Sequence, residues 1–474
     1  MAALSFLKTM LYNDHRMAEP IENSIGFAAK RHVWQRMILK TIRPMLIAMR
    51  LWQNSHAVLL RGEKHFGFSP SYSHHDKGCE AVNFIFISPN FPRTYWQFCD
   101  RLRQNGVNVL GIGDAAYDGL EAELKASLTE YYKVGSLEDY DQVYRAVAFF
   151  AFKYGKIDWI ESLNEYWLEQ DARLRTDFNV TTGIQADRIG FIKEKSLMKR
   201  RYFEAGIPTA RQHFVSTWEA GREFIRLVDY PVIVKPNIGV GAHDTWKLEN
   251  DDDFDAFYAD LPPVPYVMEE YIQGDIVSYD GIFDSNCEPL FENMNVFPPV
   301  MDVVNDHLDL NYYTCPDVVD ELRALGRRTV KAFDVGRRFV HLEFFRLTKA
   351  HKGLGDVGDF VALEVNMRPP GGYTPDMMNY AHSTDVYKIY ADMVCFDERR
   401  LPVSEEQYYC VYASRKDGNR YSHTHEEIME RYGEDMVMQE EMPEINWDTM
   451  GRYMYTVRLE TLEETLAFIN YVQG

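Results

Sequence analysis

The stretch "ALEVNMRPPGG" (362–372) places a carboxylate, an amide and a guanidinium at alternate positions, directly before two prolines and two glycines. Side chains alternate across a β-strand, so Glu364, Asn366 and Arg368 share one face while Leu363 and Val365 lie on the other. The following turn allows backbone N–H groups to approach an anion closely. The stretch is therefore predicted to be a strand end that carries polar chemistry.

A second acidic residue lies in the preceding strand pattern, "RRFVHLEFFRL" (337–347). Antiparallel pairing of the two strands would bring together three oxygen ligands, from Glu343, Glu364 and Asn366. Two carboxylates and an amide oxygen suit Mg²⁺, with Mn²⁺ as an alternative ion. Edge strands with polar faces in solvent explain these residues about equally well. Because charged groups on strands this apolar are rarely buried without a partner, we favour a metal site, beside which Arg368 would clamp phosphoryl oxygens.

Lys235 ends another apolar strand pattern, in "PVIVKPNIGVGAH" (231–243). A lysine at a strand tip can reach a phosphate, and Gly239 and Gly241 allow the backbone to come close to it. The pattern is not a Walker motif, which needs GKS or GKT after its glycines. A plain β-hairpin turn is the alternative interpretation.

The totals limit the class of protein. The 474 residues are enough for about three domains, and the 46% hydrophobic content is that of a globular protein. The net charge of −21 argues against a nucleic-acid partner, which needs clustered lysine and arginine. The six cysteines form no CxxC pair, which is typical of free thiols in a reducing cytoplasm. No signal peptide or apolar run long enough to span a bilayer is evident.

The first segment, residues 1–81, differs from the rest because it carries eleven Lys/Arg and six Asp/Glu, a net charge of +5. It contains a basic stretch with the pattern of an amphipathic helix, interrupted near Pro44. A membrane-surface or partner-binding arm and an ordinary packed extension are both alternatives. We favour a third hypothesis, in which this atypical basic extension is disordered or not part of the natural protein, and Val82 is the true start.

From residue 82 onward, short apolar runs alternate with helical patterns. The runs "NFIFIS" (83–88) and "VNVLGIG" (107–113) are typical of buried strands. The glycines of "GIGD" (111–114) lack the third glycine of a dinucleotide fingerprint and indicate a strand-end turn. This βαβα order predicts an α/β fold with a doubly wound parallel sheet. Further strands are predicted near 131–134 and 157–161, and helices near 93–106, 138–154 and 164–178.

The second half of the body mixes helices and strands. The pattern after 400 is strand–helix–strand–helix, which indicates a small C-terminal α+β unit. No internal repeat or low-complexity linker interrupts the body. Single helices are predicted over 185–205, 317–333 and 375–394, a strand–turn–strand unit over 229–248, and an extended segment over 265–283.

These segments, in this order, resemble the ATP-grasp superfamily, and above all the group with biotin carboxylase and the large chain of carbamoyl phosphate synthetase. The resemblance covers about 82–474. It rests on a lysine-bearing helix before "AGIPT", a "VKP" strand with a glycine loop, an "EEYIQG" hinge, an "HLEF" strand and "EVNMRPPGG". It implies a pre-ATP-grasp parallel α/β domain at 82–184, an ATP-grasp domain of two α+β subdomains at 185–400 and the small unit at 401–474.

The resemblance also implies roles for individual residues. Lys195 matches the first nucleotide-binding lysine, with Lys193 or Lys199 as alternatives, and Lys235 matches the second, which contacts phosphate. The segment 237–243 resembles a mobile lid over the triphosphate. The metal ligands of two Mg²⁺ ions match Glu343, Glu364 and Asn366, the arginine that stabilises the transferring phosphoryl group matches Arg368, and the adenine-reading hinge matches Glu269, Glu270, Tyr271 and Ile272.

One position departs from the superfamily pattern. Many members carry a ribose-binding glutamate two residues after the hinge glycine, where this chain has Ile276. Asp275 or Asp280 is the expected substitute. No "MKM" sequence for biotin attachment is present, so a biotin-carrying role is not expected.

The implied activity is that of an ATP- and Mg²⁺-dependent ligase, which activates a carboxylate as an acyl phosphate for attack by an amine. Activation of bicarbonate or carbamate is one alternative, and a non-catalytic nucleotide-binding protein is another. The partners expected are small molecules. The basic run "RRTVKAFDVGRR" (327–338), with Arg346, would hold an acidic substrate or form a solvated face, and His382 is expected to be structural. The C-terminal unit would cover the site or form a homodimer interface.

Overall fold

The computed structural model describes residues 82–239, 244–298, 308–442, 444 and 447–474. The hypotheses on the segment 1–81 lie outside these residues. Positions 240–243 of the predicted lid, with Gly241, lie outside them as well. The described residues belong to one compact unit.

A four-stranded parallel sheet forms the first part of the body, with the strand order β3-β2-β1-β4. Strand β1, one of its two inner strands, is buried along its whole length, because parallel strands carry helices on both faces. The predicted α/β fold with a doubly wound parallel sheet is confirmed. The strands are Asn83–Ile87 (β1), Asn108–Gly113 (β2), Glu130–Lys133 (β3) and Trp159–Glu161 (β4), and the helices are Trp96–Gln104 (α1), Ala122–Ser127 (α2), Tyr140–Tyr154 (α3) and Leu168–Asp177 (α4).

A small antiparallel sheet with the strand order β5-β8-β6-β7 follows. Apolar side chains of the helices Trp218–Val228 and Asp251–Ala259 pack on strand β6 in one core. Strand β6 ends at Pro236, so Lys235 lies at the strand tip, as predicted. The strands are Gln212–Phe214 (β5), Val232–Pro236 (β6), Trp246–Leu248 (β7) and Tyr266–Glu270 (β8), and the helices before and around them are Gly190–Lys193 (α5), Lys195–Glu204 (α6), Trp218–Val228 (α7) and Asp251–Ala259 (α8).

An eight-stranded sheet, ordered β13-β12-β9-β10-β11-β14-β16-β15, completes the body. The C-terminal strands thus continue the sheet that holds Glu343 and Glu364, although the domain boundaries themselves stay predictions. The strands are Gly274–Phe283 (β9), Pro289–Phe297 (β10), Asn311–Thr314 (β11), Arg338–Leu347 (β12), Phe360–Asn366 (β13), Tyr409–Arg415 (β14), Met436–Glu441 (β15) and Tyr453–Leu459 (β16). The helices are Asp320–Phe333 (α9), Thr374–His382 (α10), Val386–Phe396 (α11), His425–Tyr432 (α12), Trp447–Met450 (α13) and Leu462–Gln473 (α14).

Two predicted single helices are each broken in two. The helix expected over 185–205 is divided at Glu194, because the amides that follow donate to Asn237, Lys195 N to its carbonyl and Ser196 N to its Oδ1. The helix expected over 375–394 is divided at Ser383, which adopts the left-handed conformation, and Asp385 caps the new helix. Strand β15 was not predicted. None of the described helices is long and apolar enough to cross a membrane.

A buried ion cluster joins the parallel sheet to the large sheet. Glu161, at the end of β4, accepts hydrogen bonds from Arg175 on α4 (2.9 Å) and from Arg338 at the start of β12 (2.5 and 3.0 Å). All three side chains are about 1–2% exposed. Because Glu161 bonds both arginines, whereas the buried Asp171 lies 4.0 Å from Arg175 only, we expect this cluster to fix β4 against β12.

Replacement of Glu161 tests the cluster. Glu161→Gln removes the carboxylate that bonds both arginines and leaves the buried Arg338 without its counter-charge, so the free energy of unfolding should fall by about 3–5 kcal/mol in urea denaturation. Lys153→Gln is the control, because the Lys153–Glu130 pair is 46% and 25% exposed and its loss should change the free energy of unfolding little. Equal losses in the two variants would contradict the assignment.

Candidate active site

The two strands that carry the predicted metal ligands pair in antiparallel fashion, as expected. Glu343 on β12 lies directly opposite Glu364 on β13, and His341 lies opposite Asn366. A bulge follows Glu343 in the ladder, and such irregularities re-aim side chains next to functional sites. The Glu343 and Glu364 side chains are 27% and 26% exposed. Two carboxylates of like charge thus share one partly open position.

Neighbouring charges make the two carboxylates different. Burial opposes ionisation of Glu343, but the hydrogen bond and charge of His341, 3.1 Å away, outweigh it and lower the pKa of Glu343. Burial raises the pKa of Glu364 against the attraction of Lys195, and the charge of Glu343 adds to the increase. Lys195 Nζ lies 4.0 Å from Glu364 Oε1 and donates to the Gly239 carbonyl. A pair whose pKa values move apart is typical of two acids that share a site.

Lys235 contacts the buried carboxylate of Glu269. Its Nζ is 2.8 Å from Glu269 Oε2, and Lys199 Nζ is 3.7 Å from Glu269 Oε1. Gln212 also donates to Glu269. Burial opposes ionisation of Glu269, but Lys199 and Lys235 lower its pKa to about 2. Burial lowers the pKa of Lys199 to about 8, against the attraction of Glu269.

Arg368 is held by a residue of the parallel-sheet part of the chain. Arg368 Nη2 donates to Glu165 Oε2 at 2.6 Å, and Lys193 Nζ lies 3.4 Å from the other Glu165 oxygen. Burial opposes ionisation of Glu165, but these two cations lower its pKa to about 2. The chain turns after Arg368 through Gly372, whose φ of 63° is the left-handed region that favours glycine. Strand β13 ends at Asn366, so the prediction that Arg368 continues the alternation of the strand is wrong, and Arg368 lies just after the strand.

The oxygen donors at the strand ends fit a magnesium ion. Among the described residues no three His, Cys, Asp or Glu side chains converge as a closed metal cluster. In the predicted site, Glu343 and Glu364 would hold an ion together with the Asn366 amide oxygen, water and phosphate oxygens. This is the coordination that Mg²⁺ prefers, because it keeps waters and substrate phosphates.

The hinge residues face in different directions. Glu269 points at the two lysines, whereas Glu270 binds Arg211 and lies near His351. Ile272 is buried, and Tyr271 is partly exposed. The backbone of Glu269 and Glu270 is paired within the β5-β8-β6 ladder, where the Glu270 amide donates to the Arg211 carbonyl, so the predicted backbone contact with adenine is left to Tyr271 and Ile272.

The expectation of Asp280 at a ribose is wrong. Asp280 is fully buried and accepts hydrogen bonds from Ser278 and Asn295, while His341 contacts its second oxygen. Asp275, near the start of β9, is exposed and stays the predicted candidate.

Four of the five cationic residues in the basic run 327–338 pair with carboxylates, whereas Arg328 donates to the Gly206 carbonyl. Arg327 binds Glu292, Lys331 binds Glu288, and Arg338 belongs to the cluster at Glu161. His382 is buried between amide groups, in keeping with a structural role.

Solved structures share this architecture over most of the chain. An L-amino acid ligase from Bacillus licheniformis matches with a TM-score of 0.59 at 13% identity, over 82% of this chain and 96% of that one. A phosphoribosylglycinamide synthetase from Anaerococcus prevotii matches with a TM-score of 0.58 at 13% identity, over 83% and 98%. The chain has the ATP-grasp fold. This outcome confirms the predicted fold.

A third structure with the ATP-grasp fold is the biotin carboxylase domain of 2-oxoglutarate carboxylase from Hydrogenobacter thermophilus, solved with MgADP and bicarbonate. It matches with a TM-score of 0.58 at 14% identity, over 81% of this chain and 87% of that one. No protein-family model matches the sequence, and a search of curated proteins finds no match.

Two residues that contact the predicted ATP-grasp site were missed in the sequence. Glu165 follows β4 in a turn and meets Arg368 across 203 positions of the chain. His341 was passed over, although it alternates with Glu343 in "VHLEF" and so shares its face. That alternation was a usable signal, whereas nothing local links Glu165 to Arg368.

The Lys199–Glu269–Lys235 group gives a test of the site's electrostatics. Glu269→Gln leaves buried Lys199 without a counter-charge, so the free energy of unfolding should fall by about 3–5 kcal/mol. Adding Lys199→Met to this variant should restore part of the loss, because it removes the stranded cation. Urea denaturation of both single variants and the double variant gives the coupling. Simple addition of the two single losses would contradict the proposed pairing.

Proposed function

We propose that this chain is an ATP- and Mg²⁺-dependent ligase that activates a carboxylate as an acyl phosphate and joins it to an amine. The observation that carries the proposal is the opposition of Glu343 and Glu364 across β12 and β13, with Lys195 beside it and Arg368 just after it. An enzyme of phosphoryl transfer needs such a combination of oxygen ligands and phosphate-binding cations. The ATP-grasp fold of the chain supports the same proposal.

Each residue has a role in the proposal. Lys195 and Lys235 bind nucleotide phosphates, and the hinge 269–272 binds the adenine. Glu343, Glu364 and Asn366 hold two Mg²⁺ ions. When bound, these ions would neutralise negative charge on the phosphate groups. Gly239, whose carbonyl accepts a hydrogen bond from Lys195, belongs to the proposed lid 237–243, which would exclude water.

The reaction has two steps. An oxygen of the substrate carboxylate bonds to the γ-phosphorus of ATP as the bond to the bridging oxygen breaks, which gives an acyl phosphate and ADP. The amine nitrogen then bonds to the acyl carbon, phosphate leaves and the nitrogen loses a proton. Arg368 counters the charge on the transferring group. Glu165 holds Arg368 through Nη2 and so orients the guanidinium.

Bicarbonate activation is the second candidate. The biotin carboxylase domain among the similar structures was solved with MgADP and bicarbonate, and bicarbonate carries the same carboxylate oxygens as the proposed substrate. One of the similar structures is named an L-amino acid ligase, and this name supports the amine-dependent reaction. A nucleotide-binding protein without catalysis is disfavoured, because all of the predicted phosphate- and metal-binding side chains are present.

Replacement of Arg368 tests its role in the phosphoryl transfer. Arg368→Ala should lower kcat by about 10²–10³-fold, as the loss of one stabilising donor does, while the KM for ATP changes little. Phosphate release measures both constants. Arg400→Ala, at an exposed arginine outside the proposed site, is the control and should retain activity. Equal effects of Arg368→Ala on kcat and on ATP affinity would contradict a role confined to the transition state.

A substrate panel distinguishes the candidate reactions. Purified protein is incubated with ATP, Mg²⁺ and pairs of carboxylic acids and amines, including amino acids, and is assayed by phosphate release and product mass. We expect phosphate release that depends on both substrates and an amide product. Phosphate release with bicarbonate alone would support the second candidate. ATP binding without turnover on any pair would favour the non-catalytic alternative.

A further inference from the structure

A row of buried polar side chains crosses one face of the large sheet beside Glu343. The row consists of matching positions on three adjacent strands, because Asp280 on β9 lies opposite His341 on β12 and opposite Asn293 on β10. Ser278 likewise lies opposite Glu343 and Asn295. We call this set the polar row, and its members are Ser278, Asp280, Asn293, Asn295 and His341, all of them buried. Burial of so many polar groups costs free energy unless each has a partner.

The hydrogen bonds of the polar row converge on Asp280. Its Oδ2 accepts from Ser278 Oγ at 2.7 Å, from Asn295 Nδ2 at 2.6 Å and from Asn293 Nδ2 at 3.3 Å. Its Oδ1 lies 2.6 Å from His341 Nδ1. A carboxylate with this many donors has one fixed orientation. The imidazole that contacts it is therefore fixed as well.

His341 connects Asp280 to Glu343. With Nδ1 at Asp280, its Nε2 faces Glu343 Oε1 at 3.1 Å, so each ring nitrogen lies within hydrogen-bond distance of a carboxylate oxygen. The rings of Phe297 and His341 lie edge to face, with their centroids 6.3 Å apart. Glu343 is the partly open end of this chain of contacts. One of its oxygens is held by His341, and the other is left for an ion.

We propose that Asp280 and His341 are positioning residues that hold Glu343 in the orientation in which it binds the metal ion. This inference rests on the proposed function, which makes Glu343 a metal ligand. Partners that orient a ligating carboxylate set metal affinity, and their loss typically weakens binding about 10–100-fold. The rest of the polar row supports Asp280 and makes no contact with Glu343 in the hydrogen bonds described above.

Binding of Mn²⁺ to the full chain in the presence of ADP, measured by electron paramagnetic resonance, tests the inference without turnover. His341→Leu should raise the Kd for Mn²⁺ by about tenfold or more. His341→Gln should recover most of the affinity, because its amide can still donate to Glu343. Asp280→Asn, which keeps the volume of the side chain, should weaken binding in the same direction and serves if His341→Leu does not fold.

Thr314→Val is the matched control, because Thr314 Oγ1 donates to Asn295 at the far end of the row. It should lower the melting temperature and leave the Kd for Mn²⁺ unchanged. An unchanged Kd in His341→Leu, or an equal rise in Thr314→Val, would overturn the inference. Glu343→Gln separates the two proposals. If Glu343→Gln weakens Mn²⁺ binding while His341→Leu does not, the positioning role fails alone; if Glu343→Gln has no effect, the metal assignment fails.

Discussion

Two carboxylates of like charge face each other across a pair of hydrogen-bonded strands, and the surrounding residues compensate that repulsion. Glu343 is stabilised as an anion by His341, whereas Glu364 lies within reach of Lys195. The register of β12 and β13 fixes this opposition, since a shift of either strand by one residue would turn its glutamate to the other face. The strand pairing is thus a condition for the site as well as for the sheet.

Backbone hydrogen bonds of neighbouring elements also position residues of the site. Helix α6 begins at Lys195 because the amides of its first turn donate to Asn237, which directly follows strand β6 with its Lys235. One connection therefore places both lysines relative to each other. On the other side, Glu165 ties Arg368 to the turn after β4. Residues that are distant in sequence meet at this site because elements of all three sheets contribute to it.

Alternation and strand patterns were enough to predict much of this arrangement. The period of two put Glu364 and Asn366 on one face, and the tip of an apolar strand identified Lys235. Both depend on local geometry, which a sequence contains. The partners of these residues depend on tertiary packing. The Glu165–Arg368 contact spans 203 positions, and the helix break at Glu194 follows from a bond to Asn237. No local pattern encodes either one.

The pairing of every site lysine with an acid also bears on how a nucleotide would arrive. Five cations (Lys193, Lys195, Lys199, Lys235 and Arg368) lie among four carboxylates (Glu165, Glu269, Glu343 and Glu364), so the site has little net positive charge. The chain as a whole carries −21. Its long-range field therefore repels an anionic nucleotide rather than steering it inward. Encounter would be slowest at low ionic strength and faster as salt screens the repulsion.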